Sequence, residues 1–192
     1  ISLSTLVVTF PAPIILALLF NELKSVRFSK IIQNVSYLPH FISLVVVCGI
    51  IKDFTSDSGI VTSFLSIFGV PKVSLLNYPK YFVPVYVASE VWKGAGWGSI
   101  IYLAALTGID SSLYEAATID GAGRFKQLIH VTLPGISATI IMMLIIRIGN
   151  ILSVGYEKLI LLYNDATLEV ADVISTYVYR KGLLEQNWSF ST

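Results

Sequence analysis

The sequence predicts an all-α membrane protein, and three observations lead there. Hydrophobic residues make up 55% of the 192-residue chain and charged residues only 13%, against about 25% charged in a soluble globular domain. Four apolar stretches of roughly span length lie along it, and each is bounded by polar segments. Mean hydropathy is +0.76. Helices suit these stretches better than strands, because hydrocarbon requires every backbone N–H and C=O to be satisfied within the segment. The net charge of +1 offers no bulk field for nucleic acid or for an acidic partner. The single cysteine, Cys48, excludes an internal disulfide framework or thiolate metal cluster, and inside an apolar run it reads as a small buried residue.

The elements follow in chain order. Leu3 to Phe20 is uncharged and is interrupted only by Pro11 and Pro13, which a spanning helix tolerates when its neighbours cover the freed carbonyls. Tyr37 to Ile51 is a shorter span containing His40. Asp53 to Lys80 is a loop with a short helix, Gly59 to Phe68, ended by Gly69 and Pro71. Tyr81 to Leu106 is the third span and Gly135 to Val154 the fourth, the latter apolar except for Arg147 and Asn150. Leu168 to Leu184 reads as an amphipathic helix with Val170, Val173, Ile174, Tyr177 and Val178 on one stripe and Gly182 near its end. Basic residues near span ends set orientation. Lys24, Arg27 and Lys30 in one loop and Arg124 and Lys126 in another place both on the cytoplasmic side; Lys72 and Lys80 oppose this weakly. The chain opens on Ile1 without a charged leader and stops at "NWSFST", which reads as an internal piece of a longer membrane protein.

The polar stretch "DSSLYEAATIDGAGRFKQLIHVTLPGI" carries helix-start chemistry. Ser112 and Glu115 have capping-box spacing. Leu113, Ala116, Ala117 and Asp120 share one face, and the alanines leave it open to close approach by another surface. Gly121 is the expected stop, since left-handed backbone costs glycine least. "GRFKQLIHV" can restart a helix, and Pro134 fits the first turn of the next span. Two short helices with a glycine elbow result. From local chemistry alone they are equally a rigid relay into the membrane helices or a solvated connection.

The motif "EAATIDGAGRFKQLIHVTLP" resembles the EAA loop in the permease subunits of binding-protein-dependent ABC importers. That pattern is Glu-Ala-Ala, three residues, Gly, nine residues, an aliphatic residue, one residue, then Leu-Pro. Glu115, Ala116, Ala117, Gly121, Val131, Leu133 and Pro134 fall at this spacing; Val131 stands where isoleucine is common. The "DGA" of Asp120 to Ala122 is similar to the carbohydrate-transporting branch. "SYLPHFISLVVVCGIIKDF" and "GIVTSFLSIFG" look like permeases for complex oligosaccharides. The resemblance covers nearly the whole chain. It implies a type I importer permease fold, with residues 1–192 forming part of one transmembrane domain and residues 108–134 its coupling loop. It further implies a bacterial plasma-membrane location, and a cytoplasmic ATPase dimer that receives the loop through Glu115, Ala116, Ala117, Asp120, Gly121, Leu133 and Pro134. A second permease subunit forming a heterodimer, a solute-binding lipoprotein outside the cell and an oligosaccharide substrate complete the set. ATP and magnesium belong to the ATPase, and this chain holds no cofactor.

Other motifs fall away. "DGAGRFK" lacks the Gly-Lys-Ser/Thr ending of a phosphate-binding loop. "DFTSDSG" has Ser58 where a calcium loop needs glycine and Phe64 where it needs glutamate. Asn34 and Asn187 sit in chance glycosylation-like triplets, and His40 and His130 are too isolated for a metal site. Polar residues inside spans carry more weight. An ionisable group at mid-bilayer costs about 2.5 kcal/mol or more and usually faces a cavity or a partner. Tyr86, Glu90, Lys93 and Trp97 share one stripe, on which Glu90 and Lys93 can pair, and Gly94 and Gly98 form a small-residue packing face. Arg147 and Asn150 lie together in the fourth span. The expectation is a substrate path lined by Glu90, Lys93, Trp97, Arg147 and Asn150, with Trp92 and Trp97 offering faces to sugar rings and Lys93 and Arg147 suiting a uronate. The plainer alternative is a structural ion pair with interfacial aromatic anchors. An ATP-independent secondary transporter remains the competing function, although it has no need of the elbow's spacing. An intramembrane enzyme would require a nucleophile–base pair or metal ligands within the spans, and neither is found.

Overall fold

The computed structural model describes residues 1–23, 25–150 and 155–184, and among them every regular element is helical. Lys24, the end of the expected fourth span at Val154, and Asn187 lie outside the described residues.

The first span forms as expected. Helices α1 (Ser2–Thr9) and α2 (Pro11–Asn21) join through Phe10, whose backbone is helical at φ −72° and ψ −49°. Together they make one apolar rod of 20 residues, long enough to cross a bilayer. Pro11 begins the second piece, where a missing N–H is harmless.

The second span is not one rod. α3 (Val26–Phe41) and α4 (Leu44–Phe54) meet at 103°. Pro39 in the last turn of α3 has no N–H to give, Ile42 turns extended at ψ 135°, and the Ser43 hydroxyl caps the new helix by accepting from the Val46 N–H at 3.4 Å. Hydropathy alone hides this break, because the apolar run continues through it. The loop helix α5 (Ile60–Ser66) forms where expected and ends before Gly69, which has φ +87°.

α6 (Pro79–Thr107) runs for 29 residues, about 44 Å. It is long enough to span but falls short of the apolarity of a lipid-facing helix, because it is the central strut. Its Phe82, Tyr86 and Val87 pack with Val47, Cys48 and Ile51 of α4 in one core. Tyr102 and Leu106 pack with Ile14 and Ala17 of α2 in another. The close approach to α3 falls at Gly96, where an added Cβ would collide with the Ser36 carbonyl, and Gly98 meets Pro13. Gly94, expected in that packing face, faces open space instead.

α7 (Ser111–Ile119) and α8 (Arg124–Gln127) form the elbow. A widened π-type turn, Leu128–Thr132, leads into α9 (Leu133–Gly135) just ahead of Pro134. α10 (Ser137–Gly149) follows after a 60° bend at Ile136. The four expected spans are therefore one rod, two bent pairs and the partly buried strut α6. After residue 154 the chain folds back on the core. α11 (Tyr156–Leu162) contributes Leu159 and Leu162, and α12 (Leu168–Ala171) contributes Ala171. The expected helix from Leu168 to Leu184 is interrupted at Asp172 and Val173, both extended, before α13 (Ile174–Tyr179) and a π-type turn, Arg180–Leu184, that carries past Gly182. Val170 and Val173 pack on the core, whereas Ile174, expected on the same stripe, is exposed.

Candidate functional site

Two places carry chemistry: the elbow and a cavity beside α6. At the elbow, the helix cap is Asp110 rather than Ser112. Its carboxylate accepts from the Ser112 N–H at 2.9 Å, and this bond to the backbone, with help from the Ser112 side chain, holds the Asp110 carboxyl below its ordinary range. The capping-box spacing of Ser112 and Glu115 therefore pointed two residues past the observed cap. The helix closes in a Schellman motif: the Gly121 N–H donates to Thr118 O at 3.0 Å and the Ala122 N–H to Ala117 O at 2.8 Å, with Gly121 at φ +76°. Gln127 then staples the helices together, its amide donating to Thr118 Oγ1 and to Ala122 O, each at 3.0 Å. Tyr114 Oη and Thr132 Oγ1 lie 3.0 Å apart and tie α7 to the turn that enters α9. The elbow is thus fastened to the helix that leads into the membrane pair.

Glu115, Ala116, Asp120, Gly121 and Pro134 are exposed, and Ala117 and Leu133 half-buried. The sequence reading missed two neighbours, Ile119 at 86% exposure and Phe125 at 73%. The signal in the sequence was an isoleucine in the last turn before Asp-Gly and a phenylalanine in the first turn after it.

The cavity measures about 420 Å³. Glu90, Lys93, Trp97 and Arg147 all line it, joined by Thr9, His40, Tyr86 and Lys158. Asn150 does not; its side chain turns back to Ile146 O at 3.1 Å. Trp92 lines a separate apolar groove with Ile50, Phe54 and Val85. The expected Glu90–Lys93 pair is not formed. Glu90 Oε1 accepts instead from Lys158 Nζ at 2.6 Å, while Lys93 Nζ donates to Ile42 O at 3.0 Å, the carbonyl freed at the α3–α4 break. Arg147 Nη2 donates to Thr9 Oγ1 at 3.2 Å. Neither Lys93 nor Arg147 has a carboxylate within ion-pair distance among the described residues. Trp97 stacks on His40 at 4.7 Å with planes 5° apart, and Phe41 meets its edge at 5.4 Å. His40, set aside in the sequence as an isolated histidine, is therefore part of an aromatic wall. Lys158, Thr9 and His40 carried no local signal, because each reaches the cavity from a different element.

A family model described as binding-protein-dependent transport system inner membrane component matches residues 5–157. The polygalacturonan/rhamnogalacturonan transport system permease protein of Bacillus subtilis (strain 168) is 44% identical over 188 residues, which are 97% of this chain and 59% of that protein. The chain therefore spans about three-fifths of that relative's length. A crystal structure of a bacterial ABC transporter involved in the import of the acidic polysaccharide alginate is similar at 46% identity and TM-score 0.93, covering 99% of this chain and 67% of that one. A second crystal structure, of a bacterial alginate ABC transporter in complex with a periplasmic protein bound to alginate pentasaccharide, gives 46% identity and TM-score 0.94, with 99% and 66% covered.

Proposed function

This chain belongs to the family of binding-protein-dependent transport system inner membrane components, and from that premise we propose that it is the permease subunit of an ATP-driven importer of acidic oligosaccharides. The observation that carries the substrate class is the cavity wall. Two cations, Lys93 and Arg147, have only a neutral carbonyl and a neutral hydroxyl as acceptors among the described residues, and both face one space beside a stacked Trp97–His40 surface. A guanidinium has five N–H donors and an ammonium three, so most of that capacity is left for a ligand. A uronate supplies what fits, a carboxylate for the cations and a flat ring face for the indole. The similarity to permeases and importers named for polygalacturonan and alginate supports the same class.

The subunit performs no covalent chemistry. A binding lipoprotein outside the cell delivers the oligosaccharide, and a second permease subunit completes the pathway as a heterodimer. A cytoplasmic ATPase dimer holds ATP and magnesium. The elbow docks there, with Ile119 and Phe125 as apolar contacts, Glu115 meeting a polar or basic group and the alanine face letting the surfaces close. Through Gln127 and the Tyr114–Thr132 bond, movement of the ATPase is carried into α9 and α10, and the cavity alternates its access.

The test is uptake by the complete transporter in proteoliposomes, with a uronate oligomer compared to a neutral oligomer of equal length. Arg147→Ala is expected to lower uptake of the acidic oligomer about tenfold or more, the scale of a charge-assisted hydrogen bond, with neutral uptake little changed. Acidic uptake left intact in Arg147→Ala sinks the substrate assignment.

A further inference from the structure

We infer that Lys158 is a further carboxylate-binding residue of the cavity, and that Glu90 is its built-in competitor, occupying the place a substrate carboxylate takes. The inference rests on the reading of the cavity as a site for acidic oligosaccharides. Lys158 comes from α11, which folds back onto α4 and α6, and its side chain is 3% exposed. Its ammonium is held by Glu90 Oε1 at 2.6 Å and lies 4.9 Å from the centre of the Tyr86 ring. Lys158, Glu90, Lys93 and Arg147 all line the same space.

Stability does not account for this pair. Two charges removed from water recover their desolvation only with good geometry, and apolar replacement of a buried pair is often neutral or stabilising. What sets this pair apart is its place on a cavity wall beside two cations that have no carboxylate within ion-pair distance among the described residues. Its two members are also unequal. Glu90 is 30% exposed against 3% for Lys158, so Glu90 is the one able to turn away. When a substrate carboxylate replaces it, one anion is exchanged for another on an ammonium that is already desolvated. The burial cost of Lys158 is met in the folded protein and does not recur on binding. A neutral sugar cannot make this exchange, because it would leave the ammonium buried without a counter-charge. Glu90 thus weakens the site for acids enough for release and still disfavours neutral chains.

The experiment measures KM for a uronate trisaccharide and for a neutral trisaccharide, using the complete reconstituted transporter. Glu90→Gln is expected to lower KM for the acidic trimer about tenfold, with a smaller change for the neutral one. Adding Lys158→Met is expected to reverse that gain and to raise the acidic KM above wild type. The double variant removes both charges of the pair and leaves neither member without the other, so it reports even where Glu90→Gln alone folds poorly. If the double variant shifts acidic and neutral KM by the same factor, the pair is only structural and the inference is overturned. A wild-type transporter with no preference for the acidic trimer overturns the substrate reading itself, which separates the two failures.

Discussion

Replacement of Gly121 isolates the backbone contribution to the elbow. Its φ of +76° lies in the left-handed region, where an L side chain costs roughly 1–2 kcal/mol. A Cβ built there meets nothing within 4 Å, so within this subunit the cost is conformational and owes nothing to packing. Gly121→Ala should therefore weaken the two Schellman hydrogen bonds that close α7 and loosen Gln127, whose amide reaches across the same turn. If docking needs the closed elbow, 1–2 kcal/mol becomes about a 5- to 30-fold loss of affinity for the ATPase. Asparagine tolerates left-handed backbone far better than alanine or valine, so Gly121→Asn should recover most of the loss and Gly121→Val should be worse than Gly121→Ala. The assay is ATPase binding by the purified subunit pair, with uptake per ATP as a second readout. The conformational reasoning fails if asparagine is as damaging as valine, because bulk at the docked surface would then be the cause.

Two further predictions concern stability. Gly96→Ala places a Cβ against the Ser36 carbonyl where α3 and α6 touch, and should cost about 1–3 kcal/mol as overpacking; Gly94→Ala, facing open space, should melt close to wild type in detergent, and equal melting of the two variants refutes the assigned contact. Asp172 should carry a pH signature. Partial burial pushes its carboxyl up, but hydrogen bonds from Arg180 at 2.6 Å and Thr176 at 2.8 Å, with the Arg180 charge, bring it net below its ordinary 3.8. A depressed folded-state value stabilises above the unfolded value and is lost as pH falls through the folded one. The stability gap between wild type and Asp172→Asn should therefore be full at neutral pH and shrink only below about pH 4, as followed by thermal melts across an acid series.

The competing readings of the elbow divide along a physical line. Gly121 as the stop of α7, Pro134 in a first helical turn and the loop helix ended by Gly69 were all legible, since each depends on dihedral preferences within a few residues. The cap was misplaced by two positions because the Ser112–Glu115 spacing favoured Ser112, whereas Asp110, an equally good cap residue, takes the position in the structure. The α3–α4 break was missed because the apolar run continues through it, and only the extended Ile42 reveals the turn.

By itself the sequence determined an apolar helical chain, the glycine elbow at Gly121 and the charged stripe on α6. Those follow from composition, the 3.6-residue period and backbone preference, all of which act locally. Tertiary structure alone decided that Glu90 takes Lys158, 68 residues away, over Lys93 three positions along its own helix. It also decided that Gly96 rather than Gly94 meets α3, and that Asn150 stays out of the cavity while His40 enters its wall. Ion pairing and close approach depend on distances of a few ångströms between elements remote in the chain, and no periodicity along one element encodes them.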